Sequence, residues 1–419
     1  MISLGGGMPN VSTFPIASIE LKLKKGGGSS LVLNEDETRV ALQYSPSRGI
    51  PSLVSHLKAL QHDLHDVNFT DGSRDLIVTN GSQDGLAKAF EMLLEPGHDT
   101  LLIENPTYSG SLAFLGPLGV TLKGVETDAQ GIVPSKLRNV LDNWEVQNGG
   151  RKKPRVIYTI PTGSNPTGGS LTFERKSEIY DICVEHDILI LEDDPYYYLD
   201  FRAFEGECQS EKEGGFLSRE RECSFLNIDE MVGGARVMRF DSFSKLLSSG
   251  IRVGFVTGPT ELIERIELHT QATMLHASGL SQAVVSKLFD EWGVNGFLAH
   301  VDDVAKFYMD RRDTFVKCID KHLKGLVEFR SPTAGMFVWM KLIGVTDVES
   351  LAMRGAIEKN VLVVPGSSFI PSNETYHGDE SSSTTENEFV RLSFSSATPD
   401  DMDRACRRLR ELLTEKREN

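Results

Sequence analysis

Residues 241–255 read DSFSKLLSSGIRVGF, a serine-rich turn that holds one lysine, Lys245, with Arg252 seven residues on. A lysine amine condenses with an aldehyde to a Schiff base, and an arginine among serines suits an oxyanion. Alone, Lys245 reads as a surface lysine. Four further polar runs change its meaning: NGSQDG at 80–85, NPTYSG at 105–110, PTGSNPTG at 161–168 and DDPYYY at 193–198. They supply Ser82, Gln83, Tyr108, Asn165, Asp194 and Tyr197, while Ser242 and Ser244 flank the lysine turn itself. Each has an ordinary reading as well. Ser82 is a fitting helix N-cap, Asn-Pro is turn chemistry, Asp194 can cap a turn, and buried tyrosines pack with their hydroxyls toward solvent.

The elements around these runs give them a common address. Short apolar segments at 76–79, 100–104, 120–125, 155–160, 188–192, 236–240 and 253–257 alternate with helical patterns such as 85–94 and 173–186. Such alternation predicts a mostly parallel, seven-stranded α/β sheet with helices on both faces. Ligands of open α/β sheets bind beyond the carboxyl ends of the strands, and five of these strands end in the polar runs. The short link between Phe240 and Val253 favours an antiparallel return, which brings Arg252 back to the rim that carries Lys245. A smaller α+β lobe is expected from the chain ends. Helices are expected near 281–323, 347–358 and 399–415, and strands at 335–341, 360–364 and 389–394. The expected division is an N-terminal segment over 1–45 with a dimer contact, a large cofactor-binding domain over 46–285 and a small domain over 286–419. Two stretches, 203–232 and 371–388, read as polar insertions.

Composition removes several function classes. The 419 residues carry a formal net charge of −16, which opposes a nucleic-acid-coating surface or docking on anionic lipid. No apolar run is long enough to span a bilayer. Five cysteines, Cys183, Cys208, Cys223, Cys318 and Cys406, stand in no C-x-x-C pair, as expected of free thiols in a reducing compartment. No basic, apolar-cored leader precedes GGGMPN, so cytoplasm or mitochondrial matrix is the expected location. The Gly-rich runs at 5–7 and 26–28 do not fit a dinucleotide fingerprint. No P-loop, no H-E-x-x-H motif and no histidine spacing suited to a metal occurs.

A lysine, an aspartate, an anion cup and an arginine on one rim suit pyridoxal 5′-phosphate. Its aldehyde takes the lysine, its phosphate takes the helix N-terminus and Arg252, and a carboxylate keeps its ring nitrogen protonated. The order N-P-T-G, D-P-Y-Y, S-F-S-K and then arginine resembles the fold-type I aminotransferases of class I/II. GGGMPN, ALQYSPSRGIPSL, NGSQDGLAKAFEMLLEPG, AGMFVWMK and RLSFSSATPDDMD bring it nearest to the kynurenine/α-aminoadipate branch.

The resemblance implies a Schiff base on Lys245, with Asp194 on the pyridine nitrogen and Tyr197 and Asn165 on the ring hydroxyl. It places Ser82, Gln83, Ser242, Ser244 and Arg252 on the phosphate and Tyr108 on the ring face. It sets Arg391 on the substrate carboxylate, with Gly7 and Phe337 lining the substrate side. Tyr44 would reach the phosphate of a partner subunit, so a homodimer is implied. The activity implied is ping-pong transfer of an amino group from kynurenine, 2-aminoadipate, an aromatic or another bulky amino acid to a 2-oxo acid such as 2-oxoglutarate. An N-terminal arm over the site, which sets substrate preference, belongs to the family pattern ahead of MISLGGG. A lyase or decarboxylase on the same fold, or a non-enzymatic regulator, are the alternatives.

Overall fold

The structure is a computed structural model, and it describes residues 7–24, 30–147, 151–205, 221–371 and 388–415. Cys208 and most of the two polar stretches lie outside the described residues. Along the described chain the strands are β1 (Ile19–Lys22), β2 (Ser30–Leu33), β3 (Arg74–Thr79), β4 (Thr100–Asn105), β5 (Thr121–Asp128), β6 (Gly131–Ile132), β7 (Val156–Thr159), β8 (Leu189–Asp193), β9 (Val237–Ser242), β10 (Gly254–Pro259), β11 (Val327–Phe329), β12 (Phe337–Leu342), β13 (Val364–Pro365) and β14 (Phe389–Ser393). The chain forms two compact units, Met1–Met92 with Leu226–Val301, and Leu93–Phe225 with Asp302–Asn419. The first unit holds three of the large-sheet strands in the order β3-β10-β9, and the second holds five in the order β8-β7-β4-β5-β6. The seven expected strands are all present, and the eighth is the two-residue β6, paired antiparallel to the end of β5.

In the first unit β10 lies antiparallel to both β3 and β9, with Gly254 opposite Thr79 and Ser242. The antiparallel return is therefore observed. The turn between β9 and β10 is fixed from beneath: Phe243 packs against Phe255, Phe289 and Phe297, and Leu246 is also buried. These two apolar side chains bracket Lys245 in sequence, so burying them leaves the lysine half-buried at the edge of the turn. The helix Ser82–Leu93 starts at the serine expected to open it.

In the second unit β4 pairs in parallel with β5 and β7, and β7 pairs in parallel with β8. β4 and β7 are buried along nearly their whole length, as strands covered on both faces must be. The smaller sheet has the order β11-β12-β14-β13, all antiparallel. One face buries Val338, Met340 and Val390 against Leu351 of the helix Val348–Glu358 and against Leu409 and Leu412 of the helix Pro399–Glu415. That last helix begins behind Thr398, whose hydroxyl accepts from the Asp401 amide at 3.2 Å.

Candidate active site

The first unit builds an anion cup from backbone geometry. Gly81 precedes the helix Ser82–Leu93 with φ +82°, and a Cβ there would collide with the Arg252 guanidinium. A Cβ on Gly254 would stand 2.7 Å from both Gly81 C and Ser82 N. The two glycines thus let β10 and the helix N-terminus close on each other, leaving amides of the first helical turn to serve an anion. Arg252 itself is exposed and sits at φ 51°, which aims its side chain back across the turn. Its guanidinium donates to Ser244 Oγ at 3.1 Å, Ser249 O at 3.2 Å and Asn80 O at 3.2 Å. All three acceptors are neutral, so its charge is not cancelled by them. Ser242 is buried and its Oγ accepts from the Ser244 amide at 3.2 Å, while Gln83 lies half-buried on the first helical turn. Tyr44 is 55% exposed and edge-on to His276, and Gly7 is exposed.

The second unit gathers an arginine and its aromatic frame. Arg391, on β14, lies between the rings of Phe337 and Phe369, at 4.5 and 4.8 Å from their centroids. Its Nη1 donates to Asn165 Oδ1 at 2.9 Å, and its buried Nε has no hydrogen-bond partner among the described residues. Burial holds its pKa below the usual arginine value, a sign that its charge is short of solvent and of counter-charge. Phe369 is held in place by Trp339, whose ring meets it edge-on at 5.7 Å, and by its own carbonyl, which accepts from Thr107 N at 2.8 Å.

Asn165 also hydrogen-bonds the hydroxyl of Tyr196. The Tyr196 pKa is raised well above the ordinary phenol value, by burial first and then by the charges of Asp193 and Tyr108. Tyr196 meets Phe337 edge-on at 5.9 Å. Asp193, the last residue of β8, accepts from Tyr158 OH at 2.8 Å.

Two expected site residues make other contacts. Asp194 and Tyr197 were the expected pair. Around the Tyr196 hydroxyl the structure gathers Asn165, Asp193, Tyr108 and Arg391. Asp194 accepts from Thr162 Oγ1 at 3.1 Å, and its charge acts on the buried Lys176. Tyr197 packs edge-on against Tyr198. Successive residues leaving a strand point to opposite sides, and the same three-residue spacing recurs one position earlier in Asp193 and Tyr196. Phe369 and Tyr196 were not foreseen. Phe369 lacked any polar signal, and Tyr196 was hidden in a run of three tyrosines.

Residues 10–409 match the profile of aminotransferases of class I and II. The chain belongs to this family. The aminotransferase is 44% identical to mitochondrial kynurenine/alpha-aminoadipate aminotransferase of Mus musculus, over 99% of this chain and 92% of that protein. It is 36% identical to aminotransferase tdiD of Emericella nidulans, over 99% and 89%. Its fold superposes on the aromatic aminotransferase Aro9 of C. albicans with a TM-score of 0.87, 29% identity and coverage of 100% and 93%. The expectations of fold type I and of transamination are borne out by these relatives. Pyridoxal phosphate is the cofactor of the family. The residues present fit it: an uncancelled arginine beside a helix N-terminus cleared by two glycines suits a phosphate monoester, and the half-buried Lys245 suits an aldehyde. Among the described residues, no helix is long and apolar enough to cross a membrane.

Proposed function

We propose that the aminotransferase moves the amino group of a bulky α-amino acid, such as kynurenine, 2-aminoadipate or an aromatic amino acid, to a 2-oxo acid such as 2-oxoglutarate. The observation that carries this reading is Arg391. A guanidinium framed by two rings, with one nitrogen on Asn165 and the buried Nε unpartnered, is a receptor for a planar carboxylate. The mouse relative's name supports kynurenine and 2-aminoadipate as donors.

In this reading Ser82, Gln83, Ser242, Ser244 and Arg252 would hold the phosphate of pyridoxal phosphate, and Lys245 would hold its aldehyde carbon. Asp193 would pair with the ring nitrogen, Tyr196 and Asn165 with the ring hydroxyl, and Tyr108 would cover the ring face. When bound, the cofactor supplies an electrophilic carbon for amines and a cationic ring that stabilises negative charge on the substrate Cα. Arg391 would fix the substrate α-carboxylate and so restrict the orientations open to the Cα–H bond. Nζ of Lys245 is the base that takes this proton. The burial of Phe337 and Tyr196 keeps water from the reacting carbon.

Tyr44, exposed and aromatic, is the residue proposed to complete the phosphate site of a second copy in a homodimer. The mitochondrial relatives favour the mitochondrial matrix over the cytoplasm.

A spectral half-reaction screen tests the function. Loaded protein is mixed with kynurenine, 2-aminoadipate, phenylalanine, methionine, leucine and glutamate, and conversion to the pyridoxamine form is followed with release of the 2-oxo acid. Borohydride treatment should leave a pyridoxyl mass on the Lys245 peptide and none in Lys245→Ala. Ammonia or carbon dioxide in place of the oxo acid, or label on another lysine, overturns the proposal.

A further inference from the structure

We propose that Glu104 is a positioning residue for the substrate-carboxylate clamp, holding the 159–164 segment so that Asn165 meets Arg391. This inference rests on the reading of Arg391 as that clamp.

Glu104 sits near the end of β4 and is 2% exposed. Its hydrogen-bond partners among the described residues all come from one segment. Oε1 accepts from Thr159 Oγ1 at 2.6 Å and from Ile160 N at 2.9 Å, and Oε2 accepts from Ser164 Oγ at 2.9 Å. The next residue is Asn165, whose Oδ1 receives Arg391 Nη1. A carboxylate thus ties both ends of the segment that presents the clamp's acceptor. A buried acid among apolar neighbours is costly unless hydrogen-bonded, and here the bonds go to the segment leading into the site.

The geometry is also sensitive to protonation. Burial, the largest cause, raises the Glu104 pKa to about 7, against the lowering effect of its three hydrogen bonds. The group facing it from β7 is the neutral hydroxyl of Thr159; Tyr158, one residue back on that strand, has its phenol pKa pushed up by burial first and then by the charges of Asp193 and Glu104. Its register partner on β5 is Val125, which carries no charge. Oε1 already receives two donors, so an added proton goes to Oε2. Oε2–H must then donate to Ser164 Oγ, which reverses that bond and removes its charge assistance. The bond that weakens is the one next to Asn165. The clamp is therefore set best above about pH 7 and loosened below it. A glutamine at 104, with its amide nitrogen toward Ser164, copies the protonated form at every pH.

The test uses the loaded enzyme and the fastest donor from the screen above, with KM and kcat measured from pH 6 to 8.5. For Glu104→Gln, the KM ratio of variant to wild type should rise from about one at pH 6 to roughly five- to thirtyfold at pH 8.5, the scale of one charge-assisted bond. The kcat should stay within about twofold of wild type. A ratio near one throughout, or a ratio independent of pH, overturns the inference. If Glu104→Gln does not fold, Ser164→Ala, which removes only the Oε2 contact, must show the same rise at pH 8.5 and none at pH 6. Arg391→Ala in the same assay separates the two readings. If it leaves KM unchanged, the clamp itself is wrong; if it raises KM while the position-104 and position-164 variants do not, only the role of Glu104 falls.

Discussion

Replacing Arg391 with lysine keeps the charge and removes the planar fork. In the structure Nη1 is committed to Asn165, and Nε is the buried nitrogen without a partner. The edge formed by Nε and Nη2 is what remains for a carboxylate. A lysine offers one ammonium there, so at least one charge-assisted bond is lost, about 1.5–3 kcal/mol. At about 1.4 kcal/mol per decade, the KM for the amino donor should rise roughly ten- to 150-fold. The lost stacking on Phe337 and Phe369 adds to this, because an ammonium does not lie flat between two rings. The assay is a half-reaction titration of loaded Arg391→Lys against wild type, run in parallel with a primary amine of similar side chain but no carboxylate. The amino acid should lose affinity and the amine should not. A KM change below about threefold, or equal losses for both substrates, would refute the assignment.

Gly81→Ala forces a Cβ against Arg252 at φ +82°; pyridoxal phosphate affinity should drop on the order of tenfold, read by equilibrium dialysis, and an unchanged affinity places the phosphate elsewhere. Asp193→Asn should cut turnover by orders of magnitude at a nearly constant unfolding midpoint. Asp194→Asn should instead lower the midpoint, because the buried Lys176 loses a nearby charge, and spare the turnover of loaded sites; the reverse pattern would restore the 194/197 assignment. Glu104, with its folded pKa raised to about 7, binds its proton more tightly folded than unfolded. Its favourable contribution is full below the unfolded value near 4.5 and is lost as pH rises through about 7. Urea midpoints of Glu104→Gln should fall less than those of wild type between pH 4.5 and 8; parallel curves would contradict the shift.

The architecture was legible because its signals are local. Apolar runs such as LIVT and ILILE are each flanked by turn residues, and strand ends fell within a few residues of expectation. The twelve-residue link around Lys245 was too short for a crossover helix, which gave the direction of β10 correctly. The face was what local pattern left open. Asp193 with Tyr196 and Asp194 with Tyr197 share one spacing in EDDPYYYL, and only the exit direction of β8 separates them. Glu104 closes the apolar run TLLIE, and its partners lie more than fifty residues downstream, beyond the reach of any local pattern. Phe369 acts through a ring contact with Arg391, which no local pattern encodes.

β14 is bonded on both sides, Arg391 standing opposite Trp339 of β12 and Val364 of β13. Two ladders, rather than the peptide that leads into the strand, therefore choose which way the guanidinium faces. A slip of one residue would turn it to the opposite surface and break both ladders at once. Aim is thus preserved by any change in the chain that leaves both ladders paired, and lost by any that unpairs them.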